Sequence, residues 1–227
     1  KDQRAKLEQA APELLAQKAK ADHKELTLPQ AEVGKVVMRF APAPSGPLHL
    51  GHAYVLGLNT ELCKKYQVKL YLRIEDTNSE NIEKDAYTMI PEDVEWLSKD
   101  AIAETITQSD RLGIYYDYAE KLIDLGGAYI CTCYRDSWKE LVNAKKACPC
   151  RDLPKKEQHL RWDKMFGEYK EGDAVLRVKT QIDHPNPAMR DWPAIRIKDH
   201  PHPRTGSEHR VWPLLNFAVA IDDHEMG

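Results

Sequence analysis

The stretch that decides the fold is VVMRFAPAPSGPLHLGH, residues 36–52. Its first five residues are mostly apolar and are typical of a buried strand. The prolines at positions 42, 44 and 47 then exclude a helix or a central strand. A helical pattern follows over about 49–66, and LYLRI at 70–74 has the β-branched and aromatic character of a second strand. Strand, loop, helix and strand in fewer than 45 residues predict a βαβ unit with parallel strands and a right-handed crossover.

Two histidines stand where this helix begins. His49 and His52 are three residues apart and would share one helical face. Gly51, which lacks a Cβ atom, would let a planar ligand approach the backbone, and the helix N-terminus offers unpaired N–H groups to an anion. Two imidazoles at a helix end suit a triphosphate that is attacked at phosphorus. The alternative is a pair of exposed or capping histidines, and the strand–loop–helix context favours the first interpretation.

Length and composition describe a globular protein. The 227 residues include 33 Lys+Arg and 36 Asp+Glu, a net charge of −3, with 30 % charged and 42 % hydrophobic residues. This length allows one large domain or two smaller ones. No apolar run approaches the roughly 18 residues that cross a bilayer, and the N-terminus does not resemble a signal peptide. We therefore expect no membrane partner.

The charge is unevenly distributed along the chain. Residues 75–125 hold fourteen acidic and four basic side chains, whereas residues 134–166 hold nine basic and five acidic ones. This pattern indicates a basic module beside an acidic one. Two solvated faces of opposite sign are the simpler explanation, so charge alone does not establish a nucleic-acid partner.

The remaining segments give a coarse outline. Residues 1–34 read as a helical arm with a linker. Further segments are predicted as helices at 84–97 and 112–125, strands at 174–179 and 194–198, and an apolar run at 211–221.

Four of the five cysteines are crowded into one short stretch. Cys131 and Cys133 form one C-x-C pair, and Cys148 and Cys150 form a second after fourteen intervening residues. Two such pairs suit a tetrahedral Zn²⁺ ion held by four thiolates. The alternatives are disulfides or four thiols packed as apolar groups. Cys63 is expected to be a buried small residue. The odd number of cysteines favours a metal site in a reducing compartment, and hence a cytoplasmic protein.

Three motifs, in order along the chain, resemble one family. RFAPAPSGPLHLGH (39–52) resembles the HIGH signature of class I aminoacyl-tRNA synthetases. RIEDT (73–77) resembles the glutamyl branch, whereas the glutaminyl branch usually has Asp at position 75. VWPLLN (211–216) followed by DDHEMG (222–227) resembles the archaeal/eukaryotic form of that branch. The chain is therefore similar, from about residue 36 to 227, to part of a glutamyl-tRNA synthetase of the archaeal/eukaryotic type.

The resemblance implies an α/β fold. It would be a class I Rossmann-type parallel sheet, incomplete in this chain, with an inserted α+β acceptor-stem-binding domain that bears a zinc knuckle. The implied domains are an N-terminal helical arm (1–34), the first half of the Rossmann domain (35–112), the insert (113–207) and a return to the Rossmann domain (208–227). A KMSKS-like loop and an anticodon-binding domain would lie beyond residue 227.

The resemblance also implies a reaction. Glutamate and ATP, with Mg²⁺, would give glutamyl-adenylate and pyrophosphate, and the glutamyl group would pass to the 3′ end of tRNA-Glu and possibly of tRNA-Gln. His49 and His52 would be the catalytic residues. The implied ATP-binding residues are Pro44, Gly46, His49, Gly51 and His52. The alternatives are a tRNA-modifying paralogue that activates glutamate, a glutaminyl-tRNA synthetase and, in a different class, a non-catalytic zinc module that binds RNA.

Glutamate would be held at the ends of the two strands. Arg39 would meet a carboxylate, for which its planar guanidinium suits bidentate pairing, and Glu75 would hold the α-ammonium group. Both lie where open parallel sheets bind ligands. An ion pair of Arg39 with Glu75 or Asp76 is the structural alternative, and Asp76 could instead cap the following turn. Leu215, which is Tyr in many relatives, and Val219 complete the implied glutamate-binding set.

The insert would bind the tRNA acceptor end. The implied tRNA-binding residues are Lys145, Lys146, Arg151, Lys155, Arg177 and Arg204. Contacts of such cations with phosphate would give affinity without sequence information. For Arg177 and Arg204 a solvated strand face and an ordinary turn are equally good explanations. Trp138 could stack on an unpaired base, although burial is its more frequent role.

Overall fold

The computed structural model describes residues 26–227. Residues 26–31 belong to an N-terminal unit and residues 32–227 form a second, compact unit. In the described part of the first unit, the N–H of Ala31 donates to the carbonyl of Leu28 at 3.4 Å. Most of the predicted helical arm lies outside the described residues, and its last part, residues 26–34, contains turns and no helix.

The first part of the compact unit is a three-stranded parallel sheet. Its strands are β1 (Met38–Phe40), β2 (Leu70–Ile74) and β3 (Ile102–Thr107), in the order β1-β2-β3. Helix α1 (Leu50–Tyr66) connects β1 to β2, and α2 (Ala86–Ser98) connects β2 to β3. Leu56, Cys63, Leu72 and Ile90 are buried together in the core between them. The predicted βαβ unit, the Rossmann-type parallel sheet and the burial of Cys63 are confirmed.

The second part is a four-stranded antiparallel sheet with helices. The strands are β4 (Ala128–Cys131), β5 (Val175–Val178), β6 (Trp192–Ile197) and β7 (Val211–Pro213), in that spatial order. The helices are α3 (Leu112–Asp124), α4 (Arg135–Asn143) and α5 (Lys155–Met165). Tyr115 of α3, Trp162 of α5, and Leu176 and Trp212 of the sheet share one buried core. This part has the α+β character that the sequence predicts for the insert.

The last apolar run divides into two elements. Residues 211–213 form β7, and the chain then enters helix α6 (Leu215–Glu225). Between them the N–H of Leu214 donates to the carbonyl of Ala194 at 2.7 Å, which extends the pairing with β6. The hydrogen-bond ladder thus keeps residues 211–214 in the antiparallel sheet, and the domain boundary after residue 207 stays a prediction.

Polar contacts join the two sheets behind the end of β2. His202 Nε2 lies 2.9 Å from the backbone oxygen of Asp76, and Arg196 donates to Asn78 Oδ1 at 2.8 Å. Lys198 forms ion pairs with Glu80 and Glu171 at 2.6 and 2.7 Å. The segment that follows β2 is therefore fixed against β6 and the loop after it.

Two surfaces of the parallel-sheet part stay open. Among the described strands, β1 pairs only with β2 and leaves its other edge free. On α1, Leu50 is 86 % exposed and Tyr54 is 72 % exposed, one helical turn apart. Within the described part of the chain, no helix combines the length and the hydropathy that crossing a bilayer requires.

Candidate functional site

The proline-rich loop is fixed to the carboxyl ends of the parallel strands. The carbonyl of Pro42 accepts from the N–H of Glu75 at 3.0 Å, and that of Pro44 accepts from the N–H of Glu83 at 2.9 Å. Gly46 has φ +142°, a conformation that residues with a Cβ atom rarely adopt. The loop therefore has a defined path from β1 to the first residue of α1, alongside the end of β2.

The histidine pair, His49 and His52, forms the N-terminal cap of α1. His49 Nδ1 accepts from the N–H of Gly51 at 3.1 Å, and His52 Nδ1 accepts from the N–H of His49 at 3.3 Å. The ring centroids are 3.9 Å apart. Because both Nδ1 atoms accept, hydrogen-bond geometry assigns the proton of each neutral ring to Nε2. Capping thus leaves two Nε2–H donors side by side at the helix end.

The environment favours the neutral imidazole form of His52. Burial and, secondarily, the nearby His49 lower the pKa of His52. Gly51 makes the close approach possible, since a Cβ atom at that position would lie only 2.9 Å from Cε1 of His49. In the structure the glycine therefore makes room for the His49 ring. Capping was the alternative to phosphate binding, and the two are geometrically compatible because capping uses only Nδ1 of each ring.

Helix α6 brings a carboxylate to Arg39. Arg39 donates from Nε and Nη2 to the two oxygens of Asp223 at 2.6 and 2.9 Å. Asp223 also accepts from Arg73 at 2.6 Å, and the hydrogen bond with Arg39, more than any other contact, lowers the pKa of Asp223 to about 2. The ion-pair partner of Arg39 is thus Asp223, and the alternative that it pairs with Glu75 or Asp76 is wrong.

Glu75 pairs with a different arginine, Arg73. Its Oε1 accepts from Nη2 and Nε of Arg73 at 2.9 and 3.3 Å. Arg73 is fully buried, and desolvation raises the pKa of Glu75 against the opposing effect of this arginine. The predicted glutamate-binding residues Arg39 and Glu75 therefore lie close to each other, each already paired within the chain.

The other two predicted glutamate-binding residues lie on α6. Leu215 begins the helix and is exposed, and Val219 is half-buried one turn later. Asp223 follows after four more residues, so the three share one helical face. Since Asp223 contacts Arg39, this spacing places Leu215 and Val219 in line with the arginine.

Sequence reasoning missed Asp222 beside this site and considered Asp76 only as a partner of Arg39 or a turn cap, whereas both aspartates are buried acceptors. Asp222 accepts from Gln108 and Arg111 at 2.8 Å and from the hydroxyl of Tyr115 at 2.9 Å. Asp76 accepts from the hydroxyl of Tyr87 at 2.7 Å and from the N–H of Ser109 at 2.8 Å, rather than capping the turn that follows it. The only signal in the sequence was the presence of acidic residues within the DDH and RIEDT motifs.

The four cysteines of the two C-x-C pairs meet at one point, here called the cysteine cluster. Their sulfur atoms all lie within 4.8 Å of one another. The separations are 3.9 Å between Cys131 and Cys148 and 3.7 Å between Cys133 and Cys150. Zinc–sulfur bonds of about 2.3 Å place tetrahedral sulfurs about 3.8 Å apart. All five cysteines are free thiols, so the donor set and its spacing fit a zinc ion.

The six predicted tRNA-binding residues fall into two groups. Lys145, Lys146 and Lys155 are exposed, although Lys155 lies 3.7 Å from Asp124. The three arginines are held by the chain itself. Arg151 donates to Asp191 and to the carbonyl of Thr180, Arg204 donates to Asp110 and Ser109, and Arg177 is buried over the ring of Trp138. The lysines are therefore better placed than the arginines for contact with a nucleic acid.

Comparison with known proteins assigns the family. Residues 35–227 match the family described as tRNA synthetases class I (E and Q), catalytic domain. The chain belongs to this family. The histidine pair, Arg39 and Glu75 thus lie in a class I synthetase catalytic domain.

Three similar proteins are glutamate–tRNA ligases. The chain is 50 % identical over 226 residues to a glutamate–tRNA ligase of Methanothermobacter marburgensis, covering 100 % of the chain and 40 % of that protein. It is 52 % identical over 234 aligned residues to that of Pyrococcus furiosus, covering 100 % and 41 %. A solved glutamate tRNA ligase from Elizabethkingia meningosepticum, in complex with its amino acid, matches with TM-score 0.57 and 25 % identity over 85 % of this chain and 42 % of that chain. The chain spans about two fifths of the length of these relatives.

Proposed function

We propose that this chain is part of a glutamate–tRNA ligase and carries the first half of its catalytic site. In this reaction a carboxylate oxygen of glutamate attacks the α-phosphorus of ATP, the bond from that phosphorus to the bridging oxygen breaks, and pyrophosphate leaves. A ribose hydroxyl of the tRNA 3′ end then attacks the glutamyl carbonyl and AMP departs. The observation that carries the proposal is the paired Nε2–H donors of His49 and His52 at the ends of the parallel strands.

The histidine pair is proposed to bind the ATP phosphates. Charge builds up on the phosphate oxygens during attack, and N–H donors already in place stabilise it without reorganisation. Pro44 and Gly46 shape the loop before the pair, and Gly51 keeps the two rings together, as its distance to the His49 ring supports. Mg²⁺ is proposed to accompany ATP and to neutralise part of the phosphate charge.

Arg39 and Glu75 are proposed to hold glutamate. The α-carboxylate must stay free to attack phosphorus, so Arg39 is assigned to the side-chain carboxylate, which would replace Asp223. The Arg39–Asp223 pair is partly exposed, and such pairs contribute up to about 1 kcal/mol, so the exchange is feasible. Arg73 contacts only Oε1 of Glu75, which leaves Oε2 for the α-ammonium group. Leu215 and Val219 would line the same pocket.

The antiparallel-sheet part is proposed to bind the acceptor end of tRNA-Glu. Exposed Lys145, Lys146 and Lys155 support phosphate contact there, and Zn²⁺ in the cysteine cluster would tie β4 to the segment that carries these lysines. The free thiols suit the reducing cytoplasm.

The test of catalysis uses the full-length protein. ATP–pyrophosphate exchange with tRNA-Glu present should fall at least about a hundredfold in His52→Ala, as expected for losing a donor to a developing charge. His200→Ala, which changes an exposed histidine elsewhere, is the matched control. Exchange that is unchanged in His52→Ala would remove the histidine pair from the mechanism.

A charging assay separates the related activities. We expect glutamate to be esterified to the 3′ end of tRNA-Glu. Glutamate activation without 3′-end charging would instead indicate a tRNA-modifying enzyme. The same assay with tRNA-Gln establishes whether that tRNA is also a substrate.

Metal analysis tests the cysteine cluster. We expect about one zinc per chain, as one closed four-ligand site requires. The double variant Cys148→Ser/Cys150→Ser should lose it, whereas Cys63→Ser, which changes a buried cysteine of helix α1, should retain it. Zinc retained by the double variant would place the metal elsewhere.

A further inference from the structure

Two arginines lie against the cysteine cluster without being ligands. The first is Arg161 on α5, whose Nη1 donates to Cys150 Sγ at 3.4 Å and to Thr132 Oγ1 at 3.2 Å. Its Nε donates to Glu157 at 2.8 Å. The guanidinium therefore bridges a carboxylate of its own helix and a sulfur atom of the cluster.

The second is Arg177 on β5. Its side chain is buried, with only 8 % of the residue exposed, and its guanidinium lies 3.5 Å from the ring centroid of Trp138. Among residues 26–227 its buried Nε finds no hydrogen-bond partner. A cavity of about 480 Å³ is lined by Arg177 together with Cys131, Cys133 and Trp138. A cation thus stands beside the cluster, on a different element from Arg161, and no carboxylate of residues 26–227 is bonded to it.

Charge balance explains this arrangement. Four neutral thiols offer nothing to offset a buried guanidinium, and an uncompensated buried charge is costly. Zn²⁺ with four thiolates carries a net charge of −2. Arg161, whose charge Glu157 partly balances, and Arg177 would together offset part of that charge. N–H groups are suitable donors to thiolate sulfur. Arg177 therefore gains its missing counter-charge when the cluster is loaded with a divalent metal.

We propose that Arg161 and Arg177 are positioning residues of the metal site, which offset part of the charge of the dianionic tetrathiolate and thereby hold Zn²⁺ tightly. The inference rests on the zinc assignment in the proposed function and does not depend on catalysis. Partners that act on ligands in this way typically contribute 10–100-fold in metal affinity. It also assigns Arg177 to the metal site instead of the tRNA surface.

The experiment measures the zinc affinity of the full-length protein by competition with a chromophoric chelator. Arg161→Met and Arg177→Met remove the charge while keeping an apolar stem of similar length. We expect each to weaken zinc binding about 10–100-fold. Arg161→Lys and Arg177→Lys keep the charge and should recover most of the loss, which a purely structural role of the guanidinium would not predict.

Lys139→Met is the control, because Lys139 lines the same cavity but is exposed. It should change the affinity less than twofold. Circular dichroism of the zinc-loaded proteins shows which variants are folded. If a methionine variant does not fold, the corresponding lysine variant still tests whether the positive charge supports zinc binding. Equal zinc affinities in the wild type and all arginine variants, or a loss in Lys139→Met equal to that in the methionine variants of the arginines, would overturn this inference without affecting the zinc assignment. A wild-type protein that binds no zinc would overturn it together with the metal assignment.

Discussion

Replacing Asp222 should strongly destabilise the protein, because this carboxylate is a buried acceptor for several donors. Asp222 is fully buried and accepts from Gln108, Arg111 and Tyr115. Arg73, also fully buried, lies 3.8 Å away. Asp222→Ala would leave these donors without an acceptor and a partly buried arginine without its counter-charge.

The size of the effect follows from these contacts. An unsatisfied buried donor costs about 1–3 kcal/mol, and breaking a buried ion pair from one side costs about 3–5 kcal/mol. The donors share one carboxylate, so their costs do not add, and we expect a loss of about 4 kcal/mol. With a urea dependence of about 2 kcal/mol per molar, the unfolding midpoint should fall by about 2 M.

Tryptophan fluorescence during urea unfolding measures this change, since Trp162 and Trp212 are buried in the core that Tyr115 and α6 share. Asp117→Ala, at an exposed position of α3, is the control and should change the free energy of unfolding by less than about 0.5 kcal/mol. A midpoint shift below about 0.5 M in Asp222→Ala, with an unchanged slope, would refute the view that Asp222 anchors α6 to α3.

Three further predictions concern Asp223, Gly51 and Arg190. Since Arg39 lowers the pKa of Asp223 to about 2, the stability from this pair is present above about pH 4 and is lost as the pH falls through 2. Asp223→Asn should therefore flatten the acid side of a plot of unfolding free energy against pH. An unchanged acid side would contradict this. Gly51→Ala should displace the His49 ring and lower ATP–pyrophosphate exchange at least about tenfold in the full-length protein at similar thermal stability, whereas wild-type exchange would show that the ring can shift without cost. Arg190 is buried and donates to three backbone carbonyls, so Arg190→Met should cost about 2–4 kcal/mol in urea unfolding, and a loss under 1 kcal/mol would mean that water replaces it.

Local pattern was sufficient for the first two strands of the parallel sheet. The apolar run before the prolines and the sequence LYLRI predict β1 and β2, and both strands occur where expected. In contrast, β3 was missed, because its sequence IAETIT exposes Glu104 and Thr105 and lacks a clear apolar face. The run at 211–221 gave no sign of its division, since both β7 and the first turns of α6 are apolar.

Contacts at the site between residues far apart in the chain were not accessible from sequence. Arg39 and Asp223 are 184 residues apart, and Asp76 and His202 are 126 apart. Such contacts depend on how α6 and the second sheet pack against the first, which no local pattern encodes. Spacing was informative for the cysteines, because two C-x-C pairs limit the possible geometries to a few, and the structure brings the four sulfurs together.

The open edge of β1 has a practical consequence for work with this chain by itself. Among the described strands, β1 pairs only with β2, and an unpaired strand edge can accept an added strand. The exposed Leu50 and Tyr54 add apolar surface on α1. Self-association that grows with protein concentration is therefore expected for this polypeptide. Light scattering across a dilution series should precede any binding measurement.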